Sequence, residues 1–147
     1  CSEAIQWTLT LLPAEATPQE AWNRCDRADW MLWLAGKLSG PPESDGRRKL
    51  VLCTADCAET ALPYVTDEHV MAATVECLRV VRAWARGEAT IEELRKARNN
   101  AYTCATDDAA SAYAVGAYVG GAYARTKALH DMANIVRRHY PLAPEIA

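Results

Sequence analysis

Two cysteines four residues apart are the side chains whose type and spacing could most readily support chemistry. Cys53 and Cys57 would share one face of a helix. A tetrahedral zinc site would need further ligands beside them, such as Cys77, Cys104 or His130. Structural zinc sites usually take close cysteine pairs from turns, whereas this pair lies within an apolar helical stripe. The pattern therefore favours reduced thiols in a helical core, with a metal site as the weaker alternative.

Other catalytic patterns are not recognisable. A thiol nucleophile needs a histidine nearby in a polar setting, and none of the three histidines forms a recognisable dyad with a cysteine. The glycines are not followed by Lys-Ser or Lys-Thr, as a phosphate-binding loop requires. The carboxylate pairs at 67–68, 92–93 and 107–108 lie at predicted helix starts, where the helix dipole favours them without catalysis. We expect neither an enzyme nor a bound cofactor.

Length and charge narrow the class of protein. The 147 residues suit a single domain over 1–147, and the net charge of −3 argues against nucleic-acid binding, which needs a basic surface. The longest uncharged run, at 109–124, is too short and too weakly apolar to span a membrane. Six cysteines admit disulfides, but a chain with this much core does not need them. We therefore expect a cytoplasmic protein that contacts neither nucleic acid nor membrane.

The first residue is Cys1 rather than Met, which indicates a fragment, a trimmed chain or a processed product. A lipid-modified mature N-terminus would also begin with cysteine. The residues that follow read as a helix rather than as a polar tether, so the lipid-modified form is the less favoured of these alternatives.

Helix start and stop signals recur along the chain, whereas strand signals are nearly absent. Thr17–Glu20 and Thr90–Glu93 are capping boxes, and Trp30–Leu34 is apolar almost all round, which predicts a helix buried on most sides. The predicted helices begin at Ser2, Thr17, Asp26 or Arg27, Ser44 or Asp45, about Thr66, and Thr90. The signals that end them are Pro13, Gly36 with Gly40-Pro41-Pro42, Pro63, Gly87 and Tyr140-Pro141. The sequence predicts an all-α bundle of six or seven helices with an Ala/Gly-rich C-terminal helical region.

The run Arg47-Arg48-Lys49 places three positive charges at a predicted helix N-terminus, which the helix dipole disfavours. It reads as a solvated face or as a contact with an acidic surface, with the solvated face favoured.

The last predicted helix is too long to be continuous in a compact domain. Residues 91–139 would span about 73 Å as one helix, roughly twice the width of a domain of this size. Thr106-Asp107-Asp108 is the favoured break because it can cap a new helix, and Gly120-Gly121 is the alternative.

Small residues recur every four positions within that region. Ala112, Gly116, Gly120 and Ala124 would form a shallow ridge. Such a ridge lets another helix approach closely, and the tryptophan-rich segment 30–34 is the expected neighbour. The same ridge could instead pack between subunits of a structural homo-oligomer.

Several blocks of the sequence together resemble one known family. They are the Trp-x-x-Cys-x-x-x-Asp-Trp motif at 22–30, the Arg-Lys-Leu-Val-Leu stretch at 48–52, the segment Trp84–Arg95 with its Trp-Ala-x-Gly and Glu-Glu-Leu-Arg motifs, and Ile-Val-Arg-Arg-His-Tyr-Pro at 135–141. On these blocks the chain is similar to the immunity-five-like family of putative immunity proteins, which bacteria and phages encode.

The resemblance implies an all-helical protein that neutralises a cognate toxin, and it lends no catalytic residues. On this basis we expect a stoichiometric binding protein that presents charged side chains to a protein partner. The acidic residues expected to contact that partner are Glu43, Asp45, Asp107 and Asp108.

Overall fold

The computed structural model describes residues 2–105 and 121–145, with side chains described for 2–101 and 126–145. Within these ranges the chain forms seven α-helices, a 3-10 turn at Leu62–Tyr64 and no strand. The helices are α1 (Ser2–Leu11), α2 (Pro18–Arg24), α3 (Ala28–Leu38), α4 (Asp45–Glu59), α5 (Glu68–Ala85), α6 (Ile91–Ala105) and α7 (Gly121–His139). The prediction of an all-α chain with six or seven helices is confirmed.

Side-chain caps fix where several of these helices begin. Before α2, the Thr17 hydroxyl accepts a hydrogen bond from the Glu20 amide, and the Thr17 amide donates to the Glu20 carboxylate at 2.8 Å. Thr90 and Glu93 make the same reciprocal pair before α6. Asp67 accepts hydrogen bonds from two amides in the first turn of α5. Both predicted capping boxes are therefore present, and each satisfies amides that a helix start leaves unpaired.

The core joins helices from the two ends of the chain. Met31 of α3, Cys53 of α4 and Val136 of α7 are its largest fully enclosed side chains. The other buried members are Trp22, Cys25, Ala28, Cys57, Ala133 and Ile135. Helix α4 is central, because it contacts α3, α5 and α7, while α6 packs on α5.

The short helix α2 is held by hydrogen bonds to the segment that follows α7. The Trp22 indole N–H donates to the Tyr140 carbonyl at 2.8 Å. The Gln19 side chain bridges this segment, since its amide N–H donates to the Pro141 carbonyl and its oxygen accepts from the Ala143 amide. A helix of seven residues is unstable alone, so these contacts explain its fixed position.

Helix α3 is less enclosed than its sequence predicts. Met31 and Ala35 are buried against the core, but Trp33 is 61% exposed. The reason is that α3 packs against α4 and α7 through one side only. Asp29, Trp33 and Lys37 follow one another at four-residue spacing along the open side, and all three are exposed.

Two sequence predictions fall on residues that the structure does not describe. The favoured break at 106–108 lies outside the described ranges, as does Gly120 of the alternative break. The side chains of the ridge at 112–124 also lie outside them, so its packing against α3 stays a prediction.

No described helix has both the length and the apolar character required to cross a membrane.

Candidate functional site

An open groove of about 570 Å³ lies between α1, α2, α3 and the segment after α7. Four of the five tryptophans line it, namely Trp7, Trp22, Trp30 and Trp33. Asp29 is the only charged residue among the described residues of its lining. The volume falls within the range of ligand-binding clefts, and its lining is mostly apolar, as such clefts usually are.

The fold fixes the tryptophans in different ways. Trp22 is buried at the groove floor by its hydrogen bond to Tyr140. Trp7 of α1 meets Trp30 of α3 edge to face, with ring centroids 6.1 Å apart and planes at 75°. This geometry brings the positive edge of one ring to the negative face of the other. Trp33 is exposed, and the Lys37 ammonium lies 5.7 Å from its ring centroid.

Polar contacts at the groove hold Arg27 in place. Its guanidinium makes two hydrogen bonds to the Asp29 carboxylate, at 2.9 and 2.7 Å, and lies 4.3 Å from the centroid of the Trp30 ring. A longer contact of 3.7 Å joins Arg27 to Glu3 of α1. The hydrogen bonds from Arg27 outweigh partial burial and lower the pKa of Asp29. The groove therefore carries an ionised carboxylate at neutral pH, paired with one arginine.

Exposed aliphatic side chains extend the apolar surface beyond the groove. None of the ten residues of α1 is buried, and Ile5 and Leu9, four residues apart, are both exposed. Leu142 is also exposed in the segment that closes one side of the groove. Exposed apolar side chains near an apolar groove favour an interaction site.

A second cavity of about 230 Å³ adjoins the groove at Pro144, which lines both. Its lining includes Leu38, Ser39, Tyr140 and Glu145. The Tyr140 hydroxyl is buried and has no hydrogen-bond partner among the described residues. Burial raises the pKa of Tyr140, so the hydroxyl stays protonated at neutral pH.

Of the acidic residues predicted to contact a partner, the two that the structure describes are not part of the groove. Glu43 and Asp45 are both exposed around the start of α4, and neither forms an ion pair with another described residue. Asp107 and Asp108 lie outside the described residues. The tryptophan groove itself was missed by the sequence reasoning, which treated these tryptophans as core.

The basic run has an internal role that neither sequence interpretation anticipated. The Arg48 guanidinium donates to the Trp84 carbonyl at 3.0 Å and lies 5.3 Å from the Trp84 ring centroid. Arg47 donates to the Gly40 carbonyl, and the Lys49 ammonium lies 4.6 Å from the Tyr140 ring centroid. Arg48 thus satisfies a carbonyl in the last turn of α5, where the helix dipole favours positive charge.

The cysteine pair behaves as core, as the sequence favoured. Cys53 and Cys57 are both buried between α4 and α7, and the Cys57 sulfur lies 3.9 Å from the Met132 carbonyl oxygen. The hydrogen bond between the two sulfurs, together with burial, raises the pKa of Cys53. Among the described residues no three His, Cys, Asp or Glu side chains are grouped to hold a metal ion.

Two histidine–aspartate pairs connect α7 to the rest of the fold. His130 Nδ1 lies 3.0 Å from Asp26 Oδ1, and His139 Nε2 lies 2.8 Å from Asp56 Oδ2. Arg82 of α5 donates a hydrogen bond to Asp56 of α4 at 2.8 Å. The partners are 26 to 104 residues apart in sequence, so no local pattern could reveal them.

These features define the class of protein: a helical protein with an open aromatic groove and with a cysteine pair buried in its core. A family model for the Imm-5 like putative immunity proteins matches residues 40–133, more than half of the chain. The chain belongs to this family, as its sequence blocks indicated. No curated protein and no solved structure matches the chain.

Proposed function

We propose that this chain binds a cognate protein toxin and neutralises it by occlusion, without catalysis of its own. Membership of the immunity protein family implies a protein partner. The observation that carries the proposal is the tryptophan groove with its exposed border of aliphatic side chains. A surface of this composition gains free energy when a second protein covers it.

Trp33 is the strongest candidate anchor within the groove. Tryptophan is among the residues that most often dominate protein–protein binding energies. Because Trp33 is 61% exposed in the free chain, covering its indole would remove enough apolar surface to contribute about 3 kcal/mol. Neighbouring side chains would exclude water around it, as the less critical contacts of an interface do.

A second contact at the start of α4 is also proposed. Glu43 and Asp45 are exposed there and could attract a basic surface of the partner, which would speed encounter.

The described cysteines, Cys25, Cys53, Cys57 and Cys77, are all free thiols. Free thiols support the further proposal that the protein acts in the reducing cytoplasm.

The proposal is tested by co-expression with the candidate toxin encoded beside this gene. We expect that protein to stop growth of a bacterial host when expressed alone, and we expect the present chain to restore growth. Purified proteins should form a stoichiometric complex. Trp33→Ala should weaken the complex about 30-fold or more, as the loss of a central aromatic contact usually does.

Tyr64→Ala is the matched control, since Tyr64 is an exposed aromatic residue outside the groove. It should restore growth as well as the unchanged chain does. If folded, normally expressed chain fails to restore growth, the proposed function is wrong. If Trp33→Ala binds as tightly as Tyr64→Ala, the toxin does not occupy the groove.

A further inference from the structure

We infer that the groove accepts an amphipathic α-helix of the partner, with a basic residue beside its apolar face. This inference rests on the proposed function and adds the chemistry of the segment that is bound. It follows from three properties of the groove, namely the paired backbone groups of its helical walls, the pattern of its apolar anchors and the balance of charge around it.

The walls of the groove favour a helix over an extended peptide. They are mainly the helices α1, α2 and α3, whose central amides and carbonyls are already paired within each helix. No strand edge exists among the described residues, so an added strand would find no main-chain partners there. A helix satisfies its own backbone and needs only side-chain contacts, which is what this groove offers.

The apolar anchors match the repeat of a partner helix. Trp7 of α1 and Trp30 of α3 line the groove with ring centroids 6.1 Å apart, and Trp33, three residues after Trp30, lines it and is exposed. Helix α1 has ten residues, so its apolar side is about 15 Å long. A partner helix of about three turns, with apolar residues at three- and four-residue spacing, would cover this length.

The charges around the groove favour a cation on the partner. Asp29 is paired with Arg27, whereas Glu3 is largely exposed and only 3.7 Å from the same guanidinium. Glu145 is exposed next to Pro144 of the lining. Lys37 is the other nearby base. The Lys37 ammonium lies over the Trp33 ring, because the face of an indole attracts cations and not anions.

Two synthetic helical peptides of about 14 residues test the inference. They share one leucine stripe and carry either lysine or glutamate beside it, and calorimetry measures their binding to the full chain. The lysine peptide should bind, and the glutamate peptide should bind at least about tenfold more weakly. Trp33→Ala should weaken the lysine peptide about tenfold, and Glu3→Gln should reduce its advantage over the glutamate peptide. Tyr64→Ala should change neither result.

Three results would overturn the inference. Equal binding of both peptides would refute the charge preference. Equal binding of a proline-substituted lysine peptide, which cannot form a helix, would refute the helical partner. Absence of peptide binding, with self-association that Trp33→Ala abolishes, would assign the groove to a second copy of the chain.

The same measurements separate this inference from the proposed function. If the chain restores growth but binds no peptide, the function holds and the helical partner is wrong. If the lysine peptide binds while Trp33→Ala still restores growth fully, the groove recognises a helix but is not where the toxin is bound.

Discussion

At the scale of single residues, the Tyr140 side chain combines favourable and unfavourable contacts. Its ring lies beneath the Lys49 ammonium, at 4.6 Å from the ring centroid. Its hydroxyl is buried without a hydrogen-bond partner among the described residues. A buried hydroxyl without a partner loses its hydrogen bonds to water and gains none in return.

Replacing Tyr140 with phenylalanine should therefore stabilise the protein. Tyr140→Phe keeps the ring under Lys49 and removes the unpaired hydroxyl, so we expect the free energy of unfolding to rise by about 1 kcal/mol. Urea denaturation measures the change, with the exposed Tyr64→Phe as the control that should have little effect. A loss of stability in Tyr140→Phe would show that the hydroxyl has a partner in solution.

Two glycines at the junction of α3 and α4 differ in the space around them. At Gly46 an added Cβ would lie 2.7 Å from the Ser39 carbonyl oxygen, which is main chain and cannot rotate away. At Gly36, within α3, the nearest atom would be the Leu50 Cδ2, at an ordinary 3.8 Å. Close packing of the α3–α4 turn therefore requires glycine at the first position but not at the second.

The two alanine variants should change stability in opposite directions. Gly46→Ala should destabilise the protein by about 1 to 3 kcal/mol, because the turn must shift. Gly36→Ala should be neutral or should stabilise by up to about 1 kcal/mol, because alanine favours the helix. Thermal unfolding followed by circular dichroism compares them, and destabilisation of equal size in both would refute the steric explanation.

At the scale of helices, one ion cluster holds three elements together. Arg82 of α5 donates to Asp56 of α4 at 2.8 Å and also contacts Glu59 at 2.6 Å. Asp56 also contacts His139 at the end of α7. Burial opposes ionisation of Asp56, but the hydrogen bonds with Arg82 and His139 outweigh it and lower the pKa of Asp56. The cluster therefore connects α5 and α7 through α4.

Neutralising Asp56 should weaken this connection in a pH-dependent way. Asp56→Asn should lower the free energy of unfolding by about 1 kcal/mol at neutral pH, since the carboxylate is partly screened by solvent. Because the folded pKa is below the ordinary value, the stabilisation is complete above about pH 5 and is lost as the pH falls below about 4. The difference between the variant and the unchanged chain, measured by denaturation across pH, should shrink accordingly.

Glu76→Gln provides the control, because the pair between Glu76 and Arg79 is exposed and within one helix. It should change stability little at any of these pH values. A loss in Asp56→Asn that does not depend on pH would mean that the ionised carboxylate is not what stabilises the cluster.

The sequence predicts a structural feature of these helices only where the contacting residues lie close together in the chain. Thr17 and Thr90 cap helices through residues three positions away, so both capping boxes could be predicted. The contact between Asp56 and Arg82 joins two helices, so no local sequence pattern indicates it. Trp33 shows the same limit, because an apolar side chain can lie on the core side or on the open side of a helix without any local difference.

At the scale of the whole molecule, the reactivity of the buried thiols measures how readily the core helices separate. Cys25, Cys53 and Cys57 are buried in the core that joins α2, α3, α4 and α7, whereas Cys77 is only half-buried on α5. Burial raises the pKa of Cys25 and Cys77, so neither is activated at neutral pH. Reaction of the core thiols therefore requires the helices to separate.

Alkylation with N-ethylmaleimide should modify Cys77 before the three core thiols. Cys53 and Cys57 should react together, at a rate set by global unfolding, because one core encloses both. Peptide mass spectrometry follows each site over time, and the same labelling in urea is the control for full reactivity. Labelling of Cys53 as fast as that of Cys77 would show that α4 and α7 separate locally.

The attachment of α2 has a consequence for how the chain matures during synthesis. The Trp22 indole N–H donates to the Tyr140 carbonyl, which lies 118 residues later in the sequence. At common translation speeds that delay is about 6 to 24 seconds. The groove floor therefore cannot be completed on a nascent polypeptide until Tyr140 has left the ribosome. Any binding that needs the complete groove floor would begin only after that point, however early the first helices emerge.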